Sequence, residues 1–493
     1  MKQQVSRTGP TKGREHLHVT DRIKEHCGLF GIYGTPKAVK HTFYSLYALQ
    51  HRGEEGAGIA ATDGNVIKDL RGMGQVGDAL PRESLAQLTG HAAIGHVRYS
   101  TTGSSNITNV QPIMVQYARG QIAVAHNGNL VNAQALRSQL ESRGSIFRTT
   151  TDSEIILHLL AQSCQPDWLD ALANSLNEVR GAFSLVFITP NEVVGARDPH
   201  GFRPLLIGKL DKSYCLASES CAFDLIGAET VREVEPGEIV SLSRNGLASR
   251  RYAPPTKHAR CIFELIYFAR ADSSLFGESV HLFRQRLGRR LAQEHPVNAD
   301  FVVAVPHSAT SAAMGYHRES GIPIEQGFIA NTYMGRTFIQ PFQGRRTEYV
   351  NIKLNAVPRV LKDKRVVVVD DSIVRGTTTK SKMQLLRKAG AKEIHLRISC
   401  PPHRHPCFYG IDFASCEELI ANKVSPEKMA QYFEVDSVCY LSIEGLKACA
   451  ESEPEGFCMA CFDGKYPVNI AEGTCKTSFE QTARQMIPAT SQQ

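Results

Sequence analysis

The 493-residue chain has no apolar run of about 18 residues, the length a membrane-spanning helix needs. Its first 26 residues are polar and lack an apolar centre, so they do not read as a secretory signal. Glu15, Asp21 and Glu25 within them also argue against an organellar transit peptide, a class poor in acids. Long Lys/Arg blocks are missing, aromatic residues make up only 8%, and the formal charge of +7 is modest for the length. Nucleic acid is therefore not the default partner, and small anionic substrates suit the balance better. There is no internal repeat and no low-complexity tract. Cysteine is not scarce: there are thirteen. With no export signal ahead of them, they point to a reducing cytoplasm and to metal or catalytic roles rather than a disulfide framework.

The most informative segment runs from Val366 through Val369 into Asp370, Asp371, Ser372, Ile373, Val374, Arg375, Gly376, Thr377 and Thr378. Four valines predict a buried parallel strand. The two acids leave it where ligands bind in open α/β sheets. The Gly-Thr-Thr-Thr that follows predicts a helix start whose unpaired N–H groups attract phosphate. The loop is neither Gly-x4-Gly-Lys nor Gly-x-Gly-x-x-Gly, which sets aside two common nucleotide motifs. A solvated acidic turn with a helix cap is the alternative. The segment resembles the phosphoribosyl-pyrophosphate (PRPP) loop of type I phosphoribosyltransferases.

Around this segment the second half alternates strand and helix. Helices are expected over 282–292 and 379–389, and strands over 301–306, 365–369 and 394–399. That order implies a parallel sheet with right-handed crossovers. Residues 331–353 form a long Gly-, Arg- and Gln-rich loop, the profile of a lid. The first half reads as many strands with few helices, hence stacked sheets. Strands are expected over 94–99, 122–125, 181–189 and 214–217. Thr151 to Glu154 reads as a capping box before an apolar helix. Pro254 and Pro255 mark a domain link.

Cys27 follows the polar leader. Were the leader removed, its own α-amino group, with an ordinary pKa near 8, could serve as base for its thiol. Arg98, in Gly-His-Val-Arg-Tyr, offers a guanidinium fork for a carboxylate. Asn127 and Gly128 offer an amide and an N–H of the kind an oxyanion hole needs. Asp152 offers a carboxylate for an amino group. Together these describe glutamine hydrolysis.

From Cys27 onward the chain resembles the glutamine PRPP amidotransferases, and the resemblance implies the following. The fold is an α+β N-terminal-nucleophile (Ntn) hydrolase, an αββα sandwich, joined to an α/β type I phosphoribosyltransferase domain. The divisions are a leader over 1–26, a glutaminase domain over 27–255, a transferase domain over 256–440 and a C-terminal segment over 441–493. The leader is cleaved, so the sequence as written is a precursor. Cys27 is the nucleophile. Arg52 and Gly53 line the glutamine site, Arg98 and Asp152 hold the amino-acid end, and Asn127 with Gly128 form the oxyanion hole.

At the second site, Val305 to Thr310 matches the family's pyrophosphate loop, although His307 stands where many relatives carry an acid. Ser308, Asp370 and Asp371 would reach Mg²⁺, and the acids would also meet the ribose hydroxyls. Ser372, Arg375, Gly376, Thr377 and Thr378 would cradle the 5′-phosphate. Arg336 and Lys353 would belong to the lid. The resemblance further implies a homodimer or homotetramer and feedback inhibition by purine nucleotides.

Cys458 and Cys461 form a Cys-x-x-Cys that by itself fits zinc, a redox pair or two buried thiols. Cys261 and Cys407 match two further positions of the family's iron–sulfur branch. Four thiolates suit zinc or a [4Fe–4S] cluster equally on chemistry alone. The resemblance implies the cluster, in a structural role.

Overall fold

The computed structural model describes residues 27–99, 106–331, 354–411 and 416–470. The leader, most of the expected lid with Arg336 and Lys353, and the C-terminal tail lie outside the described residues. Among those described, no helix is long and apolar enough to cross a membrane.

The first half is two antiparallel sheets face to face. One has seven strands, in the order Glu229–Glu233, Leu206–Leu210, Ser213–Ala217, Gly28–Tyr33, Ala92–Arg98, Gly56–Thr62 and Ile67–Met73. The other has six: Gly246–Arg251, Glu238–Ser243, Glu192–Arg197, Gly181–Ile188, Gly120–Leu130 and Ile113–Tyr117. Alternation along a strand builds the layers. In Gly28–Tyr33, Leu29 joins Val186 and Val193 between the sheets. Phe30 and Ile32 face the other way, into the core shared with Leu46 of helix Ala38–Ala48. On the far side, Leu136, Ile155 and Leu172 from three helices pack on Phe183, Leu185 and Val194. The result is the expected αββα sandwich.

The expected capping box is not formed. Helix Ser153–Gln162 starts without a side-chain cap. Glu154 instead accepts from the backbone N–H groups of Arg148 and Thr149 and from the Thr149 hydroxyl at 2.7 Å. The carboxylate thus satisfies the loop before the helix rather than the helix's own first residue.

The second half is centred on a four-stranded parallel sheet, ordered Phe301–Ala304, Arg365–Asp370, Glu393–Ile398 and Ser437–Tyr440. Val366 to Val369 are fully buried, as a strand covered on both faces requires. Helix Thr377–Lys388 follows the acidic loop, two residues earlier than expected. Residues 253–258 run without regular structure between the halves. Beyond the last strand, Ser442 binds back to Glu294 through its N–H at 2.9 Å and its hydroxyl at 2.8 Å.

Helices Val280–Glu294 and Thr310–Ser320 meet backbone to backbone. A Cβ on Gly288 would lie 1.8 Å from the Ala312 carbonyl oxygen, and one on Gly315 would lie 2.0 Å from that of Gln285. Neither neighbour is a movable side-chain tip. Gly288→Ala should therefore cost about 2 kcal/mol or more by forcing the helices apart. Gly77→Ala, whose Cβ meets nothing within 4 Å, is the control. Urea denaturation of both variants checks this.

Candidate active sites

Cys27 enters directly into the central strand Gly28–Tyr33, and its Sγ lies 3.4 Å from the Tyr99 carbonyl oxygen, to which it donates. Burial pushes the thiol up, while the Tyr99 contact and the Arg98 charge work the other way. Arg98 ends the neighbouring strand, buried, with its guanidinium 4.0 Å from Glu55. Gly53 packs on it: a Cβ there would fall 2.7 Å from the Arg98 carbonyl.

The oxyanion candidates come from the facing sheet. The His96 ring nitrogen lies 3.2 Å from the His126 carbonyl oxygen, tying the two sheets together at this level. Asn127 is completely buried, yet neither its Oδ1 nor its Nδ2 has a hydrogen-bond partner among the described residues. A buried amide normally has partners, so both of its polar atoms are open to a ligand or water. Gly128 has φ +151°, and a Cβ would meet the Ala182 carbonyl oxygen at 2.0 Å, so only glycine fits. Asp152 accepts from the Leu130 N–H at 2.9 Å and stands 3.4 Å from His126 Nδ1. Burial alone would raise its carboxyl; the His126 charge and these hydrogen bonds outweigh burial and hold it low.

Arg52 differs from expectation. Its side chain is fully buried and its fork is already engaged, with Glu219 at 2.5 Å and Glu264 at 2.9 and 3.0 Å. Its Nε donates to the Cys27 carbonyl at 3.1 Å. Arg52 therefore positions the backbone of Cys27 and has no fork left to line a substrate pocket. Glu264 also binds Arg203 at 3.0 Å, and Arg203 donates to the Tyr409 carbonyl at 2.7 Å. Two arginines and two glutamates, all fully buried, thus join the halves. The motifs did not reveal Glu219, Glu264 or Arg203. The signal for Glu264 was a lone carboxylate inside the apolar run 262–268.

At the transferase site Ser308 donates to Asp371 Oδ1 at 2.5 Å and Ser372 to Oδ2 at 2.6 Å. Burial, and then the neighbouring Asp370, push the Asp371 carboxyl up to about 6. Asp370 accepts from the Asp371 N–H at 3.1 Å and from Lys382 at 2.9 Å. Gly376, φ +84°, precedes helix Thr377–Lys388, whose first N–H groups receive no side-chain cap from it. Gly376, Thr377 and Thr378 thus stand at the start of that helix. The Arg375 guanidinium pairs with Glu418 at 2.7 Å. Two carboxylates and a hydroxyl are the hard oxygen donors magnesium takes.

The four expected cysteines come together from three segments. Cys261 and Cys458 are register partners in a short parallel pairing. The Cys461 carbonyl accepts from the N–H groups of Arg404 and His405, which brings in the segment carrying Cys407. Each of Cys261, Cys458 and Cys461 feels the charge of Cys407, Cys458 and Cys461 also feel Cys261, and Arg203 feels Cys261 and Cys407. Among the described residues no three His, Cys, Asp or Glu groups are close enough for one metal ion. The four thiols thus gather where these three segments meet. The same segment touches the oxyanion strand: the Phe408 carbonyl accepts from Asn129 Nδ2 at 2.9 Å, and Gly410 packs on Gly128.

Glu264→Gln should destabilise the fold by about 3 kcal/mol, because it leaves two buried guanidinium groups short of charge. Urea melts of the variant measure it. The Glu219 carboxyl is opposed by burial but held well below its ordinary value by His51 and Arg52. A depressed folded value gives stability above the unfolded value, lost as pH falls. The advantage of wild type over Glu219→Gln should thus be full above about pH 6 and shrink toward about pH 3 in pH-series urea melts.

Residues 96–224 match the glutamine amidotransferase domain model, and residues 282–425 match the phosphoribosyl transferase domain model. Over 462 residues the chain is 48% identical to the amidophosphoribosyltransferase of Synechocystis sp., covering 92% of this chain and 93% of that protein. The Bacillus subtilis amidophosphoribosyltransferase is 47% identical over 457 residues, 92% of this chain and 96% of the relative. A solved B. subtilis glutamine PRPP amidotransferase, complexed with ADP and GMP, superposes with a TM-score of 0.86 at 47% identity over 91% of this chain and 99% of the other. With both domains, their order along the chain and the fold in agreement, the chain belongs to the amidophosphoribosyltransferase family, which carries out the glutamine-dependent first step of purine biosynthesis.

Proposed function

We propose that Cys27 and the acidic pair perform the two halves of one coupled reaction. Cys27 Sγ attacks the carboxamide carbon of glutamine. The C–S bond forms, the C–N bond breaks, and the thiol proton leaves with ammonia. Water then hydrolyses the thioester to glutamate. Ammonia attacks C1 of PRPP, the C1–O bond to pyrophosphate breaks, and 5-phosphoribosylamine forms. The observation that carries the first half is the buried Asn127 amide with no described partner, beside a position only glycine can fill. Preorganised donors of this kind stabilise the negative oxygen of a tetrahedral intermediate.

Arg98 and Asp152 hold the carboxylate and amino group of glutamine. The base for Cys27 is its own α-amino group, so activity requires removal of residues 1–26. In the sequence as written, the Cys27 nitrogen is bonded to His26 and cannot serve. Asp370 and Asp371 hold the ribose hydroxyls, the start of helix Thr377–Lys388 holds the 5′-phosphate, and the turn at Ser308 holds the diphosphate. Ser308, Asp370 and Asp371 would hold magnesium, whose charge assists the departing diphosphate. Cys261, Cys407, Cys458 and Cys461 would hold a structural [4Fe–4S] cluster, with Arg203 as a neighbouring positive charge. Purine nucleotides as effectors are supported by the ADP and GMP in the B. subtilis relative. A cytoplasmic homo-oligomer completes the reading.

Cys27→Ala, made in the processed form, should abolish glutamine-dependent product and leave synthesis from added ammonium within about twofold, since the second site is untouched. Retained glutamine activity would overturn the assignment. Mass spectrometry should show the active chain starting at Cys27. Anaerobically purified protein should contain iron and sulfide in equal amounts. Zinc without sulfide would overturn the cluster.

A further inference from the structure

Lys382 was singled out by none of the sequence motifs. It lies in the second turn of helix Thr377–Lys388 and reaches back to the end of strand Arg365–Asp370. Its Nζ is 2.9 Å from Asp370 Oδ2, with 16% of the lysine side chain and 2% of the aspartate exposed. The remaining carboxylate oxygens of the pair are also engaged, by the Asp371 N–H, Ser308 and Ser372. Arg284, a further cation near Asp371, donates instead to the Leu265 and Ala269 carbonyls.

We propose that Lys382 is a positioning residue of the phosphoribosyl site, the resident counter-cation of Asp370, so that a divalent ion enters with PRPP rather than ahead of it. Two adjacent buried carboxylates would ordinarily draw in a cation on their own. Here an ammonium already balances one of them and repels a second positive charge in a poorly solvated site. Magnesium favours one or two carboxylates plus substrate phosphates, and the phosphates of PRPP supply the missing oxygen ligands and negative charge. Lys382 also fixes the direction of the Asp370 carboxylate, leaving Asp371 as the member that exchanges its serine hydroxyls for incoming ligands.

The inference rests on the PRPP site proposed above, and one experiment separates the two. Mn²⁺ binding, followed by electron paramagnetic resonance, is titrated with and without PRPP, in the absence of glutamine and ammonia. Wild type and Lys382→Arg should bind Mn²⁺ weakly alone and much more tightly with PRPP. Lys382→Met should bind Mn²⁺ alone at least about tenfold more tightly than wild type. The arginine variant restores the charge, so it separates loss of charge from loss of fold. If Lys382→Met gains less than about twofold while PRPP still recruits Mn²⁺ to wild type, the counter-cation role is wrong and the site reading stands. If PRPP recruits no Mn²⁺ to wild type, the site reading and this inference both fail.

Discussion

The structure depends on a buried exchange of charge between its halves. Glu264 accepts from Arg52 with both oxygens and from Arg203 with Oε1, and Glu219 accepts from Arg52 Nη1. None of these groups reaches water, so each is tolerable only while the others are in place. Such a cluster is a poor source of net stability but a strict specifier of geometry. It fixes where the Cys27 backbone sits relative to the turn Glu264–Phe268, and that turn presents its Leu265 carbonyl, and the Ala269 carbonyl just beyond it, to Arg284. From Arg284 the next charge felt is Asp371. Directional contacts thus run from the Cys27 backbone to Arg284, which feels the charge of Asp371 of the acidic pair.

The cysteine-bearing segment adds a second connection. Residues 403–411 touch Cys461 at one end, and at the other they touch Arg203, Asn129 and Gly128. Disturbing the thiols would therefore disturb the backbone around Gly128 and Asn129, although no cysteine of the set touches it. The stacking of Phe202 on Tyr409, 4.4 Å between centroids, stiffens the same junction.

Much of this was legible in the sequence where local chemistry dictates local structure. The four valines, the acidic pair and Gly376 announced a strand, a ligand loop and a helix start, because burial, strand polarity and positive φ act within a few residues. Asn127 with Gly128 was legible for the same reason. The partners of Arg52 were not. Glu219 and Glu264 lie 167 and 212 residues away, and only folding reveals that a guanidinium is already taken. Thr151 to Glu154 failed differently. The local pattern was right, but Glu154 had a better set of donors in the preceding loop. Lys382 looked like any solvated helix lysine, yet Thr379, Met383 and Leu386 place its flank against the core.

Chain ends usually fray, because nothing beyond the last residue holds it. Cys27 is arranged against that tendency. Its carbonyl is gripped by Arg52, and Leu29, two residues on, donates its N–H to the Ser218 hydroxyl at 2.9 Å. These anchors lie on the side that survives any loss of the leader. A residue that becomes a terminus here would keep the rigidity of an interior position, gaining a free amine without gaining an end's motion.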